Sequence, residues 1–321
     1  MENVLNDLDY KEWMISTKSI WLGPEPVHRK LQQLTLEFST WLREQGLDDA
    51  GDIPEQPIPS LLISESPTRD KLKVLHPATF PEPDIEKLIR FFTKKGELVV
   101  DPFLGSGSTC VAALHAGRRV IGIELYDRWA EIARQRIKES SSPQLDLFGS
   151  VESPDVRALP EVWTGDASEL AASLEDGSVG FVVTSPPYWG ILAKNTDHKV
   201  KAERLAHDRP TDYGHDSRDL SSIVDYQQFV GKIAGVLGAY VPKLQPGRYM
   251  GVIVSDFRHK SEFHSYHSDL AESLIRQGLT LEGITILAQT SKNLYPYGIP
   301  YAFVSNIHHQ YVLIMRRRQA V

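Results

Sequence analysis

Two textures of apolar spacing divide the chain. In the first 45 residues Trp13, Ile20 and Trp21, then Leu31, Leu34, Phe38, Trp41 and Leu42, recur at roughly helical intervals, which predicts helix. Residues 48–59 break that pattern with acids and with Pro54, Pro57 and Pro59, the composition of a linker or a wrapping arm. From about Leu72, short apolar runs alternate with amphipathic stretches. Pro83-Asp84 opens a periodic run through Ile85, Leu88, Ile89 and Phe92, predicting a helix that stops near Gly96. Leu98-Val99-Val100 predicts a short buried strand, 109–116 a small-residue helix, 119–123 a strand and 127–138 a helix. Residues 139–160 are polar and irregular, an exposed connection, and Gly165-Asp166-Ala167, after the apolar Val162-Trp163, sits where a third strand would end. Further on, 179–184 reads as strand, 222–241 as a long helix ended by Pro242, 249–255 as strand and 267–277 as helix, with 280–289 and 311–316 as closing strands. This rhythm predicts an α/β domain over residues 71–321, a largely parallel sheet covered on both faces, preceded by an accessory segment at 1–70. There are no internal repeats.

Composition narrows the class. With 41% hydrophobic residues among 321, the chain is long enough to bury a core and ordinary for a soluble protein. Its single cysteine, Cys110, excludes an intramolecular disulfide framework and any multi-cysteine zinc site. His308-His309 has no further ligands at suitable spacing, so no metal is expected. No apolar run approaches the roughly 18 residues that span a bilayer. Four acids among the first twelve positions are unlike a secretion signal, and a cytoplasmic location is the expectation. The net charge of −7 counts against a nucleic-acid partner until it is divided along the chain. Residues 1–60 hold 5 basic and 11 acidic side chains, residues 61–189 hold 14 and 19, and residues 190–321 hold 16 and 12 with eight of the eleven histidines. Only the last part is net positive, the sign that phosphate contacts favour.

The segment Val99-Val100-Asp101-Pro102-Phe103-Leu104-Gly105-Ser106-Gly107-Ser108-Thr109 runs a buried strand into a two-glycine turn and then a helix. Glycines permit positive φ and close approach of a ligand to the backbone, and a helix start offers unpaired N–H groups. A bland tight turn has the same local pattern. The following strand places Glu124 at its tip, 19 positions after Gly105, near the ~20 expected between a glycine turn and a ribose-binding carboxylate. A solvated strand-end carboxylate is the alternative. Asp166 suits either an acceptor for an exocyclic purine amine or an Asx-turn. Upstream, Pro77, Pro81 and Pro83 stiffen a segment that presents Phe80 as an apolar wall, or that simply leads into a helix.

Phe181-Val182-Val183-Thr184-Ser185-Pro186-Pro187-Tyr188-Trp189 ends a buried strand in a stiff turn. The prolines remove backbone donors, leaving carbonyls and the Ser185 hydroxyl outward, with Tyr188 and Trp189 as flat surfaces. Acceptors beside an aromatic plate suit an amino group on a planar ring, although a proline-aromatic turn also serves packing alone.

Together, DPFLGSGST, GIEL, GDA and TSPPYW resemble the motifs of the S-adenosylmethionine-dependent DNA amino-methyltransferases, which methylate N4 of cytosine or N6 of adenine; the resemblance covers roughly residues 71–316. It implies a Rossmann-like seven-stranded methyltransferase sheet, mostly parallel with a terminal antiparallel hairpin, which would follow the N-terminal helical extension read from apolar spacing. It also implies S-adenosylmethionine as cofactor and DNA as partner. By position, Phe80 and Pro81 match the segment around the methionine moiety. Asp101, Phe103, Gly105 and Gly107 match the glycine motif, Glu124 the ribose ligand and Asp166 the adenine contact. Ser185, Pro186, Pro187 and Tyr188 match the catalytic tetrapeptide. Residues 251–256, ending in Asp256, match the strand beside the target pocket, and 293–309 falls in the terminal hairpin region. The implied reaction is in-line methyl transfer to the amine of a flipped base, with Tyr188 stacked on it. Ser185 and the Pro186 carbonyl would bind the amine. Within the family, Ser at the first tetrapeptide position leans towards N4 of cytosine, whereas Asp or Asn leans towards N6 of adenine.

Five-methylcytosine chemistry needs a cysteine beside the catalytic prolines, whereas Cys110 lies in the helix after the glycine turn, a core position. The chain departs from the family in its small target-recognition apparatus, which leaves restriction-type sequence specificity open. The substrate-contact candidates are Trp189, Lys194 in the loop 190–221, Asp256, and Arg258 in the turn 257–267. That loop holds six basic and six acidic residues, which also fits a solvated connection. The modest positive charge predicts salt-sensitive DNA binding aided by homodimerisation or a partner. Two readings compete: an RNA-base or protein-glutamine methyltransferase, and a catalytically silent nucleic-acid-binding relative. The first lacks a visible RNA-binding module. Against the second, the glycine turn, Glu124 and the proline turn are intact together.

Overall fold

The computed structural model describes residues 7, 20–21, 81–141, 144–145, 151–152, 159–189, 216–259, 261–289 and 306–318. Phe80, Lys194, the arm at 48–59 and the expected N-terminal helices, apart from Ile20 and Trp21, lie outside them. In chain order the elements begin with β1 (Ile20–Trp21), α1 (Glu82–Phe92), β2 (Leu98–Asp101), α2 (Ser108–Ala116), β3 (Arg119–Glu124) and α3 (Asp127–Ser140). Two short strands follow, β4 (Gln144–Leu145) and β5 (Val151–Glu152), then β6 (Glu161–Thr164), α4 (Ala167–Leu170) and β7 (Val179–Thr184). The second half holds α5 (Tyr226–Gly238), β8 (Leu244–Val254), β9 (Phe257–His259), β10 (Glu262–His264), α6 (Tyr266–Arg276), β11 (Leu279–Ala288) and β12 (His309–Arg317).

The main sheet has the order β1-β11-β12-β8-β7-β2-β3-β6. Seven of these are the expected strands, and β1 is a two-residue addition pairing Ile20 with Ile286 in parallel. Ile20 and Trp21, read as part of a helical pattern, are strand residues instead, because the open edge of β11 supplies backbone partners that their local spacing does not reveal. β12 alone runs against its neighbours β8 and β11, giving the antiparallel hairpin at an otherwise parallel sheet. Side chains alternate across the sheet with period two. Val99, Phe181, Val183, Ile253 and Val312 face the layer built by α1, α2 and α3. Val100, Val182, Val252, Val254 and Leu313 face the layer of α5 and α6. Both sides of the central strands are therefore buried, which is why they read as continuous apolar runs. Cys110 is wholly buried in the first layer, and burial pushes its thiol well above the ordinary range.

Three boundaries differ from the sequence reading. The helix expected at 222–241 starts only at Tyr226, where the Asp225 carboxylate caps it by accepting the Gln228 N–H at 2.7 Å. β8 begins at Leu244, five residues earlier than the apolar run: Leu244 pairs with Val179, and the register against β7 then shifts before Tyr249. The turn at 257–267 contains a small hairpin, with β9 paired antiparallel to β10. The parallel strands β2, β3, β6, β7 and β8 all end at one edge, the position at which α/β sheets bind ligands. No described helix is long and apolar enough to cross a membrane.

Candidate active site

The glycine turn is built around one buried carboxylate. Asp101, at the end of β2, accepts hydrogen bonds from Thr109 Oγ1 at 2.5 Å, Thr184 Oγ1 at 2.5 Å and the Phe103 N–H at 3.0 Å. Burial pushes its carboxyl above the ordinary range, against the three hydrogen bonds. The same side chain thus fixes the turn after β2 and ties it to the end of β7, where the proline turn begins. Gly105 and Gly107 have φ values of 56° and 88°, a region that other residues adopt at a cost. A Cβ on Gly107 would stand 2.9 Å from Ala133 Cβ, so this glycine admits α3 rather than a ligand. Beneath the turn, buried Arg136 donates to the Ser106 carbonyl at 2.5 Å and to Glu82, which also accepts from Ser108 Oγ at 3.1 Å. Pro81, the N-cap of α1, is joined to the turn through that neighbouring Glu82.

Glu124 follows at the end of β3. Its two oxygens accept the Gly105 N–H at 2.8 Å and the Tyr126 N–H at 3.1 Å. Burial nevertheless lifts its carboxyl to about 7. Asp166 caps α4, accepting the Ser168 N–H at 2.7 Å and the Ser168 hydroxyl at 2.5 Å through one oxygen. Across from these, Tyr126 donates its hydroxyl to Asp219 at 2.8 Å and accepts the Asp216 N–H at 3.2 Å. That contact draws the segment 216–222 over the site, with Arg218 doubly bonded to Asp216 at 2.7 and 3.0 Å.

One pocket collects most of the expected cofactor residues: Asp101, Phe103, Gly105, Glu124 and Asp166 line it. Ser185, Pro186 and Pro187 line it from the β7 side, and Arg218, Asp219 and Leu220 line it from the crossing segment. It encloses about 1080 Å³ of open space, part of it continuous with solvent. Gly107 and Pro81 support this pocket without lining it.

The aromatic residues of the proline turn sit apart. Tyr188 is half-buried, and its hydroxyl accepts from Gln310 Nε2 at 3.1 Å; Gln310 in turn accepts from Gln289 Nε2 at 2.9 Å. Burial pushes the Tyr188 phenol above its ordinary range, with the Gln310 bond opposing. Trp189 departs from the expected open plate. It is 8% exposed, donates Nε1–H to the Ile223 carbonyl at 2.8 Å, and packs its ring 4.6 Å from His259 and 5.2 Å from Tyr226. The indole is part of the core. Asp256 likewise has protein partners: its oxygens lie 2.7 and 2.9 Å from His267 Nδ1, and it accepts the His267 N–H at 3.1 Å. Tyr311 stacks on the His267 ring at 3.9 Å, and its hydroxyl lies 2.8 Å from His309 Nε2. Arg258 is on β9, its guanidinium 5.3 Å from the Phe263 ring centre. The sequence reading gave no role to Thr109, Tyr126, Thr184, Gln289 and Gln310. The two threonines stand inside the quoted motifs, Thr109 at the end of DPFLGSGST and Thr184 at the start of TSPPYW; the others carried no local signal.

Residues 7–135 match the N6/N4 methyltransferase family model, described as DNA methylase. That stretch includes the glycine turn and Glu124 and ends before Ser185. The orphan methyltransferase M.BamHII of Bacillus amyloliquefaciens is 41% identical over 71 residues, covering 22% of this chain and 27% of that protein. The type II methyltransferase M2.DpnII of Streptococcus pneumoniae is 44% identical over 63 residues, covering 20% and 24%. The chain spans about a third or less of the length of the curated relatives it matches. Among solved structures, a SAM-dependent methyltransferase of Methanosarcina mazei is 15% identical over 70% of this chain and 94% of that one, with a TM-score of 0.43.

Proposed function

We propose, from the premise that the chain belongs to the DNA methylase family, that it transfers the methyl group of S-adenosylmethionine to the exocyclic amine of a DNA base, N4 of cytosine in preference to N6 of adenine. The observation that carries this reading is Asp101, whose two oxygens hold Thr109 of the cofactor turn and Thr184 of the proline turn in one rigid unit. Binding an electrophile and positioning a nucleophile within one pocket is what methyl transfer requires.

The pocket residues fit the cofactor. Glu124 offers a carboxylate to a ribose diol, Asp166 an acceptor to an adenine amine, and the left-handed Gly105 leaves the backbone open to close approach. When bound, S-adenosylmethionine supplies a sulfonium methyl already activated for transfer. The chain supplies positioning. An exocyclic amine is a weak nucleophile because its lone pair is delocalised into the ring. Accepting its two hydrogens at Ser185 Oγ and the Pro186 carbonyl favours a tetrahedral nitrogen and turns that lone pair out of the ring plane. Pro187 stiffens the turn that holds these acceptors, and Gln310 fixes the Tyr188 ring for stacking on the base. Ser185, in place of an acid at this position, favours cytosine.

The test is methylation of duplex DNA with labelled S-adenosylmethionine, followed by mass spectrometry of the nucleosides. N4-methylcytosine is the expected product, and Ser185→Ala is expected to lower kcat by about 100-fold. N6-methyladenine alone overturns the base assignment. Bound cofactor with no methylated nucleoside from any DNA overturns the transferase reading.

A further inference from the structure

The β9–β10 hairpin has two faces of different character. Its register pairs Phe263 directly with Arg258, and His264 with Phe257. On the inner face His259 and His264 pack 4.6 and 5.4 Å from the Trp189 ring, and Phe257 lies 6.0 Å from it. Trp189 immediately follows the proposed catalytic tetrapeptide, so the hairpin is bolted to the turn that would hold the target base. A two-stranded hairpin this short is marginal alone, and this aromatic anchor supplies its rigidity. On the outer face Phe263 is 44% exposed, with the Arg258 guanidinium 5.3 Å from its ring centre. The bend is held by Ser261 at φ 70°, the one non-glycine residue with positive φ among those described. Rigid backbone therefore presents an apolar ring and a cation side by side, at the edge of the sheet where the pocket opens.

Resting on the proposed DNA methylation, we propose that this hairpin is a wedge for duplex DNA: Phe263 enters the stack beside the target base, and Arg258 takes a backbone phosphate. Inserted apolar side chains hold unstacked steps open, and a flipped base leaves such a gap. The charge of the surrounding region agrees, with 16 basic against 12 acidic residues over 190–321. Glu262, exposed on the same strand, is the acidic exception; it pairs with His259 in the ladder rather than with Arg258, and its carboxylate lies 4.0 Å from His264 Nε2.

The test compares the full chain with its Phe263→Ala and Phe263→Leu variants on three DNAs of one sequence: a paired duplex, a duplex with an abasic site opposite the target, and the single strand. Phe263→Ala is expected to lower kcat/KM on the paired duplex by about 30-fold while changing the other two by less than about threefold. Phe263→Leu is expected to restore most of that loss. Arg258→Ala is expected to reduce the salt slope of duplex binding by about one. No loss on the paired duplex, or an equal loss on all three DNAs, overturns the wedge. A wild-type chain that methylates none of the three overturns the function on which the wedge rests, whereas an active wild type with an indifferent Phe263 overturns the wedge alone.

Discussion

Glu124, proposed above to hold the ribose diol as an anion, sits in surroundings that favour the neutral acid. Burial lifts its carboxyl from 4.5 to about 7. The folded state thus prefers the protonated form. Its contribution to stability is full below pH 4.5 and is lost as pH rises through about 7, roughly 3 kcal/mol in all. The proposed ligand binding runs the other way, because a ribose diol would donate to the ionised carboxylate. S-adenosylmethionine affinity, measured by calorimetric titration between about pH 6 and about pH 8, is expected to weaken about tenfold per unit below pH 7. A flat profile would show that Glu124 does not hold the diol as an anion. This residue was legible because its partner is local in pattern: the 19-residue interval from Gly105 is closed by a direct N–H bond. Asp101 and Thr184, 83 positions apart, and Tyr188 and Gln310, 122 apart, meet only through sheet register. Their pairing leaves no trace in local spacing, and the same holds for the His267 that occupies Asp256.

At the scale of elements, the segment 216–222 changes the picture of the pocket. It reads as the end of a solvated loop, yet Arg218, Asp219 and Leu220 line the cavity. Asp219 caps the short turn at Leu220–Ser222 through the Ser221 N–H at 2.8 Å, and Asp225 then caps α5. Two successive caps explain why apolar Ile223 and Val224 continue a helical pattern without being helical; Val224 is 89% exposed. Tyr126 joins this segment to the tip of β3 by two hydrogen bonds. Tyr126→Phe removes both while keeping the ring. A net worth of about 1 kcal/mol per bond predicts S-adenosylmethionine dissociation faster by about fivefold to thirtyfold in stopped-flow measurements. Unchanged dissociation would show that the segment does not retain the ligand. The strands and helices flanking this site follow from apolar periodicity, since burial on both faces produces it. The β9–β10 hairpin does not, because three-residue strands are too short to establish a period.

Over the whole molecule, charge is divided in a way that the net value of −7 conceals. Within the acidic N-terminal part, Asp7 bonds to the end of the sheet opposite the pocket. Asp7 accepts the Lys95 N–H at 2.8 Å and lies 3.2 Å from the guanidinium of Arg118. Lys95 and Arg118 precede β2 and β3, where the parallel strands begin rather than end. Arg118 is 1% exposed; its other bonds go to the Thr93 carbonyl at 2.6 Å, Thr93 Oγ1 at 3.1 Å and the Ala116 carbonyl at 2.5 Å. All of those acceptors are neutral, so Asp7 is the bonded group that offsets its charge, and burial presses the guanidinium below its ordinary range against that help. Asp7 is itself 43% exposed, and solvent screening reduces what the pair contributes. Asp7→Ala is therefore expected to cost about 1 kcal/mol, lowering Tm by about 2 °C in thermal denaturation. Asp7→Asn, which keeps an acceptor for Lys95 without the charge, is expected to fall between. Methylation per folded molecule should be unchanged in both, because the pocket lies at the opposite edge. Equal melting of all three chains would show that Arg118 is satisfied by its backbone and threonine partners alone, and would detach the acidic segment from the stability of the sheet.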